Sequence, residues 1–237
     1  MNAPRFAYLA FMLLAVGVFF LARRLAPATP GVTKLPRRQK LWLAFAAFVG
    51  GVFGGKFPFL FDAGGPLAIA TWSADGKSIT TALIGAYLAV ELTKAWLGIR
   101  IKTGDSWAFP LTLSLAVGRW GCFFNGCCYG QPCDLPWAVD FGDGVPRHPT
   151  QVYESLFHLG MAGIVLWLTF TNRLVTHRLQ FYLIAYGIFR CITEYIRPEP
   201  RDLFGLTFYQ WAAAALALGL ALQWEREVAR NRPGQRQ

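Results

Sequence analysis

The chain has 237 residues, of which 54% are apolar and only 15% charged, where soluble domains carry about 25% charge. That balance excludes a disordered chain, a coiled coil and a nucleic-acid module of the ordinary charged kind, and it points to a polytopic membrane protein. The net charge of +10 therefore has to be read by location.

Apolar stretches long enough to cross about 30 Å of hydrocarbon recur along the chain. They cover about residues 6–21, 41–61, 79–97, 107–124, 152–170, 179–196 and 203–224. The expectation is an all-α membrane protein with seven transmembrane helices, forming a single polytopic domain over 1–237. Connections are short and hold turn formers, as in Asp62-Ala-Gly-Gly-Pro66, Gly142-Asp-Gly144 and Pro198-Glu-Pro200, which leaves no room for an inserted soluble domain. The first stretch has two readings. Arg5 ahead of an apolar core and Ala26-Pro-Ala28 behind it resemble a cleavable signal peptide, whereas Arg23 and Arg24 directly after the core act as a stop signal and favour an uncleaved helix.

Orientation follows from the basic residues. Arg23, Arg24, Lys34, Arg37, Arg38 and Lys40 lie between spans one and two, Arg100 and Lys102 between three and four, Arg173 and Arg178 between five and six, and Arg226, Arg230, Arg232 and Arg236 in the tail. The opposite side has only Arg5, Lys77, Arg147, Arg197 and Arg201. By the positive-inside rule the N-terminus is outside and the C-terminus cytoplasmic, and the basic excess serves topology and lipid headgroups rather than nucleic acid.

An ionisable group inside a span costs at least about 2.5 kcal/mol and needs a partner or a task. Arg119 lies late in span four between Gly118 and Gly121, without an evident partner. In span six Arg190 and Glu194 share a helix face, with Tyr186 one turn back. Two guanidiniums meeting in the outer half of a bilayer make an anion site, and the abundant anion there is a lipid phosphate; Glu194 then orients Arg190. Lys56, after two glycine pairs, is either a third phosphate contact or a side chain snorkelling to the interface. Glu91 and Lys94 read as a local pair, and His158 as a hydrogen-bonded core histidine.

Glycine-rich backbone at membrane depth is tolerated where it lines a polar cavity, which places the site near the outer leaflet, in Gly118-Arg-Trp-Gly-Cys-Phe-Phe-Asn-Gly-Cys-Cys-Tyr-Gly130, followed by Cys133-Asp-Leu-Pro-Trp137 and Arg147-His-Pro-Thr-Gln-Val-Tyr-Glu154. With Tyr186-Gly-Ile-Phe-Arg190, Glu194 and, more loosely, Leu206-Thr-Phe-Tyr-Gln210, these motifs resemble the prolipoprotein diacylglyceryl transferase family over about residues 82–211.

The resemblance implies a multi-pass enzyme of the bacterial inner membrane. It would transfer the diacylglyceryl group of phosphatidylglycerol, or of another anionic phospholipid, to the lipobox cysteine of a preprolipoprotein and release glycerol phosphate. It also implies that Arg119 and Arg190 hold the phosphate, that Asn125, Gly126 and Gly130 shape the pocket, and that Gln151, Glu154 and Tyr186 line it. As alkyl transfer from carbon to sulfur, the reaction requires positive charge around the leaving phosphate and is expected to use no metal and no diffusible cofactor. The chain departs from the family pattern in having Thr80 where the family has a histidine, and Cys122 and Cys127 where it has Asn and Glu. His148 is then either a replacement base or a loop cap.

Cys122, Cys127, Cys128 and Cys133 leave three readings open: structural disulfides, a four-thiolate zinc site, or a reactive cysteine at 127 or 128 whose thiol Arg119 activates. Cys191 reads as packing. The alternatives to lipoprotein modification are a related phospholipid-using transferase with another acceptor or a cysteine nucleophile, and a non-catalytic lipid-binding or thiol-redox membrane protein.

Overall fold

The computed structural model describes residues 3–26, 32–60, 78–202 and 204–230. The expectations at Pro27 and Ala28, Asp62 to Pro66, Lys77, Leu203, Arg232 and Arg236 lie outside the described residues. The chain is mostly helical. Seven long helices occur among the described residues: α1 Ala3–Leu25, α2 Arg37–Lys56, α3 Ile79–Trp96, α4 Asp105–Phe124, α5 Thr150–Phe170, α6 Arg178–Thr193 and α7 Phe208–Arg230. Among the described residues, three stretches are long and apolar enough to cross a membrane: Pro4–Leu25, Arg37–Phe59 and Thr150–Phe170. Phe6, Leu13, Phe48, Leu92, Trp96 and Phe170 are exposed, as suits a surface that meets lipid.

Five of the seven expected spans coincide with a helix to within about four residues, as boundary precision allows, and the second begins as expected while its helix stops at Lys56, short of an expected end that lies outside the described residues. The seventh does not. It begins at Phe208, because Thr207 and Gln210 form a reciprocal capping box in which the Gln210 backbone N–H donates to Thr207 Oγ1 at 3.1 Å and the Thr207 N–H donates to Gln210 Oε1 at 2.9 Å. Phe204 and Gly205, at φ 55° and 75°, turn the chain immediately before it. Among the described residues the strand structure is a pair of two-residue strands, β1 Val139–Asp140 and β2 Pro146–Arg147, antiparallel with Val139 opposite Arg147. Asp140 Oδ1 accepts from the N–H groups of Gly142, Asp143 and Gly144 at 2.8, 3.1 and 3.0 Å, and the two glycines supply the positive φ this nest requires.

Packing is pairwise: α2 on α3, α1 on α4, α4 on α5 and α6 on α7. The α2–α3 crossing is glycine on glycine. A Cβ built on Gly50 would run into the Gly85 carbonyl and the Ala89 methyl, and one on Gly85 would strike the Gly50 carbonyl, so the backbones touch as small-residue helix pairs do in membranes. Where α3, α4, α5 and α6 converge, Leu83, Ala108, Met161, Val165, Tyr182 and Tyr186 form the buried core. His158 is fully buried there, with Nδ1 3.1 Å from Tyr182 Oη, and Lys94 pairs with Glu91 at 2.8 Å. Successive helices reverse direction. One end of the bundle collects Arg23, Asp105, His177 and Glu227; the other collects the loop after α4, the start of α5 and the end of α6.

Candidate active site

The site begins with how α4 ends. Asn125 caps the helix, Gly126 takes φ 64°, the Gly126 N–H donates to the Phe123 carbonyl at 3.1 Å, and the Cys127 N–H reaches back to the Cys122 carbonyl at 3.1 Å. This is a Schellman stop, for which Gly126 is the left-handed residue. Cys128 then takes φ 65°, at a cost of about 1–2 kcal/mol for a residue with a Cβ. The first turn of α5 holds the loop in place. Thr150 Oγ1 donates to the Cys128 carbonyl at 2.6 Å, and Gln151 Nε2 donates to the Cys127 carbonyl at 2.7 Å. Gly130 is a contact point: a Cβ there would come within 2.6 Å of the Ile196 carbonyl and 2.7 Å of the His148 Cβ.

Beneath this loop lies a buried charge cluster centred on Glu154 of α5. Arg119 of α4 pairs with Glu154 Oε2. Arg190 of α6 reaches Glu154 Oε1 at 2.8 Å and Glu194 at 2.7 Å, and Arg197 reaches Glu154 Oε1 at 3.1 Å. Glu194 also accepts from Thr207 Oγ1 at 3.2 Å, which ties the cluster to the α7 cap. All five charged groups are buried. Glu199, partly exposed, approaches Arg197 only at 3.8 Å. Within the buried set three guanidiniums face two carboxylates, a net charge of +1.

The expected convergence of Arg119 and Arg190 is therefore present, with two corrections. Arg119 is not unpaired, because Glu154 faces it across the α4–α5 interface. Arg197 is a third guanidinium in the cluster; by sequence it reads as a loop charge, and its only local signal is its position three residues after Glu194. The Nε atoms of Arg119, Arg190 and Arg197 are buried without a hydrogen-bond acceptor among the described residues, as is the Tyr186 hydroxyl. Glu154 Oε2 and Glu194 Oε2, although in ion pairs with Arg119 and Arg190, likewise lack a well-aligned hydrogen bond there; a buried donor left unsatisfied costs about 1–3 kcal/mol, so the Nε groups would gain from an added acceptor. Burial, followed by the charges of Arg190 and Arg119, lowers Arg197 to about 10, leaving it cationic at neutral pH.

The other expected residues lie as follows. Lys56 is buried at the end of α2, next to Gly55, whose carbonyl accepts from the Ser78 N–H at 2.9 Å; burial at a helix junction overturns the snorkelling alternative. His148 Nδ1 is 3.3 Å from Tyr153 Oη, which accepts from Trp137 Nε1 at 2.8 Å. The His148 main chain meanwhile pins Gly130 and Gln131. All five cysteines are free thiols. The sulfurs of Cys122, Cys127 and Cys128 lie within 4.8 Å of one another, with Arg119 Nη1 3.9 Å from Cys122 Sγ. Cys133 lies against β2, its N–H donating to the Pro146 carbonyl, so the four-cysteine grouping becomes three. Hydrogen bonds from Cys122 and Cys127 hold the Cys128 thiol below its ordinary range, and sharing those protons pushes Cys127 up.

A family model described as prolipoprotein diacylglyceryl transferase matches residues 6–224. The chain belongs to the prolipoprotein diacylglyceryl transferase family. Its relatives include proteins named phosphatidylglycerol–prolipoprotein diacylglyceryl transferase from Polynucleobacter necessarius, 36% identical over 81% of this chain and 76% of that protein, and from Polynucleobacter asymbioticus, 34% identical over 92% and 84%. The relative of that name from Clostridium tetani is 32% identical over 67% of this chain and 68% of its own length. In this diacylglyceryl transferase-family chain the match includes α1 and α2, where the sequence motifs alone were silent. A cavity of about 740 Å³ lies toward the opposite end of the bundle, walled by apolar residues such as Phe19, Leu43, Phe48 and Leu111, with Lys94 and Glu227 also lining it. The arginine cluster is not part of it.

Proposed function

We propose that this chain is a seven-span enzyme of the bacterial inner membrane that transfers the diacylglyceryl group of phosphatidylglycerol to the lipobox thiol of a prolipoprotein. Seven helices of alternating direction and the one-sided distribution of basic residues support an external N-terminus, a cytoplasmic C-terminus and a single domain over 1–237. The observation that carries the activity is the meeting of Arg119, Arg190 and Arg197 around Glu154 with three unpaired Nε donors.

A phosphodiester bears one negative charge, which the net +1 of the buried set matches. When the acceptor sulfur attacks the glyceryl carbon, the carbon–oxygen bond breaks and its electron pair passes to the phosphate. Charge therefore grows where the guanidiniums converge, which is the differential stabilisation that catalysis needs. Glu194 and Glu154 keep the arginines in place before the lipid arrives. Gln151, through its bond to the Cys127 carbonyl, holds the loop over them.

The test is mass analysis of the products when the purified protein meets phosphatidylglycerol with and without a lipobox peptide. Diacylglyceryl peptide and glycerol phosphate are expected only with both present. Arg119→Lys and Arg190→Lys each replace a planar fork by a point charge and should lower turnover by about a hundredfold. Full activity in both variants would contradict the phosphate clamp.

A further inference from the structure

We propose that Cys122, Cys127 and Cys128 form a three-thiolate zinc site whose fourth position takes the acceptor thiol. The catalytic part of this inference rests on the transferase reading above; the metal site stands on its own geometry. Three sulfurs lie within 4.8 Å of one another, and the Cys127 and Cys128 sulfurs are 3.7 Å apart. Zinc–sulfur bonds of about 2.3 Å place the sulfurs of a tetrahedral site about 3.8 Å apart, so closing on zinc requires movements of about 1 Å or less.

The backbone is arranged for this grouping. Cys122 is fixed on the last turn of α4, the Schellman turn returns Cys127 to it, and the left-handed φ of 65° at Cys128 turns its side chain back toward Cys127, where neighbours on an extended chain point apart. Thr150 and Gln151 lock both carbonyls behind the sulfurs. The remaining cysteines are held elsewhere: Cys133 against β2 through the Pro146 carbonyl, and Cys191 against the Gln210 carbonyl at 3.6 Å. Three protein ligands and one open position are the ligand count of a catalytic rather than a closed structural zinc.

Charge and chemistry agree with this assignment. Three thiolates on Zn²⁺ leave one negative charge, which Arg119 faces from beside Cys122, while Arg190 and Arg197 on the far side of Glu154 remain for the phosphate. A lipobox thiol entering the fourth position loses its proton to solvent and binds as thiolate. Its sulfur then forms the bond to the glyceryl carbon, the carbon–oxygen bond breaks, and the phosphate leaves with the electron pair. The thioether product is a weak ligand and departs. The metal in this way supplies the activation for which position 80, occupied by a buried threonine, has no base.

The test uses the full chain purified in detergent under reducing conditions, stripped with a chelator and reloaded with zinc or with cobalt(II) as a spectroscopic probe. Expected are about one zinc per chain and a cobalt spectrum of tetrahedral thiolate type that changes on adding a lipobox peptide but not its Cys→Ser analogue. Cys122→Ser, Cys127→Ser and Cys128→Ser should lose the metal, Cys128→His should retain it, and Cys133→Ser should bind as the parent does. Zinc content unchanged when all three cysteines are replaced, or no thiolate cobalt bands in the parent chain, would overturn the site. Transfer that persists undiminished in chelator would overturn its catalytic role and leave the transferase reading intact, whereas a chain that holds zinc but transfers nothing would sink that reading and leave the metal site.

Discussion

Glu154→Gln tests the buried cluster directly. In the parent chain one carboxylate serves Arg119, Arg190 and Arg197, and the substitution raises the buried net charge from +1 to +2 while keeping the side-chain shape. The amide oxygen still accepts from one or two guanidiniums, but the amide NH2 faces another donor. Breaking a buried ion pair from one side costs about 3–5 kcal/mol, and the retained acceptor places this variant at about 3 kcal/mol. At about 2–4 °C per kcal/mol for a chain of this size, the melting temperature in detergent should fall by about 6–12 °C. The surplus positive charge should also make the variant responsive to anions, so that glycerol phosphate raises its melting temperature more than that of the parent. A variant that melts with the parent and ignores glycerol phosphate would refute Glu154 as the electrostatic centre of the site.

Further outcomes follow from single contacts. Thr207→Ala removes both the cap of α7 and a hydrogen bond to Glu194; it should cost about 1 kcal/mol of stability, measured by thermal unfolding, and an unchanged melting curve would count against the capping box. Gly85→Leu places a side chain where the Gly50 carbonyl and Gly54 already touch, and it should part α2 from α3, read as lost cross-linking between cysteines introduced on the two helices; retained cross-linking would contradict the glycine crossing. Arg197→Ala should lower turnover with phosphatidylglycerol as Arg119→Lys does, and undiminished turnover would remove it from the clamp. The Arg147 guanidinium beside Asp143 holds that carboxyl below the ordinary carboxylate range. A depressed value means that this contribution to loop order is complete above the unfolded carboxyl pKa and is lost as pH falls through the folded one. Hydrogen exchange in the 139–147 hairpin should therefore rise on acidification below that range, more in the parent chain than in Asp143→Asn.

Much of the molecule is legible in the order of its residues because membrane helices are dictated by local composition. An apolar run of about 20 residues has no alternative to hydrogen-bonding itself, so helices appear where the runs are, and Phe-Asn-Gly at the end of α4 specifies its own stop. The start of α7 was misplaced because Leu203 is as apolar as a helix needs, while the capping box that decides the boundary lies at Thr207 and Gln210. Arg190 with Glu194 was visible because helical spacing alone sets that pair.

The tertiary structure decided what spacing cannot encode. Glu154, Arg119 and Arg197 are far apart in sequence, and only the antiparallel packing of α4, α5 and α6 brings three guanidiniums onto one carboxylate. The same holds for the thiols. Four cysteines within twelve residues permitted several groupings, and a left-handed turn at Cys128 together with the pairing of Cys133 to β2 reduced them to three. Sequence by itself determined which residues are costly to bury, because that depends on chemistry alone; which of them share the cost depends on distances that only the folded chain creates.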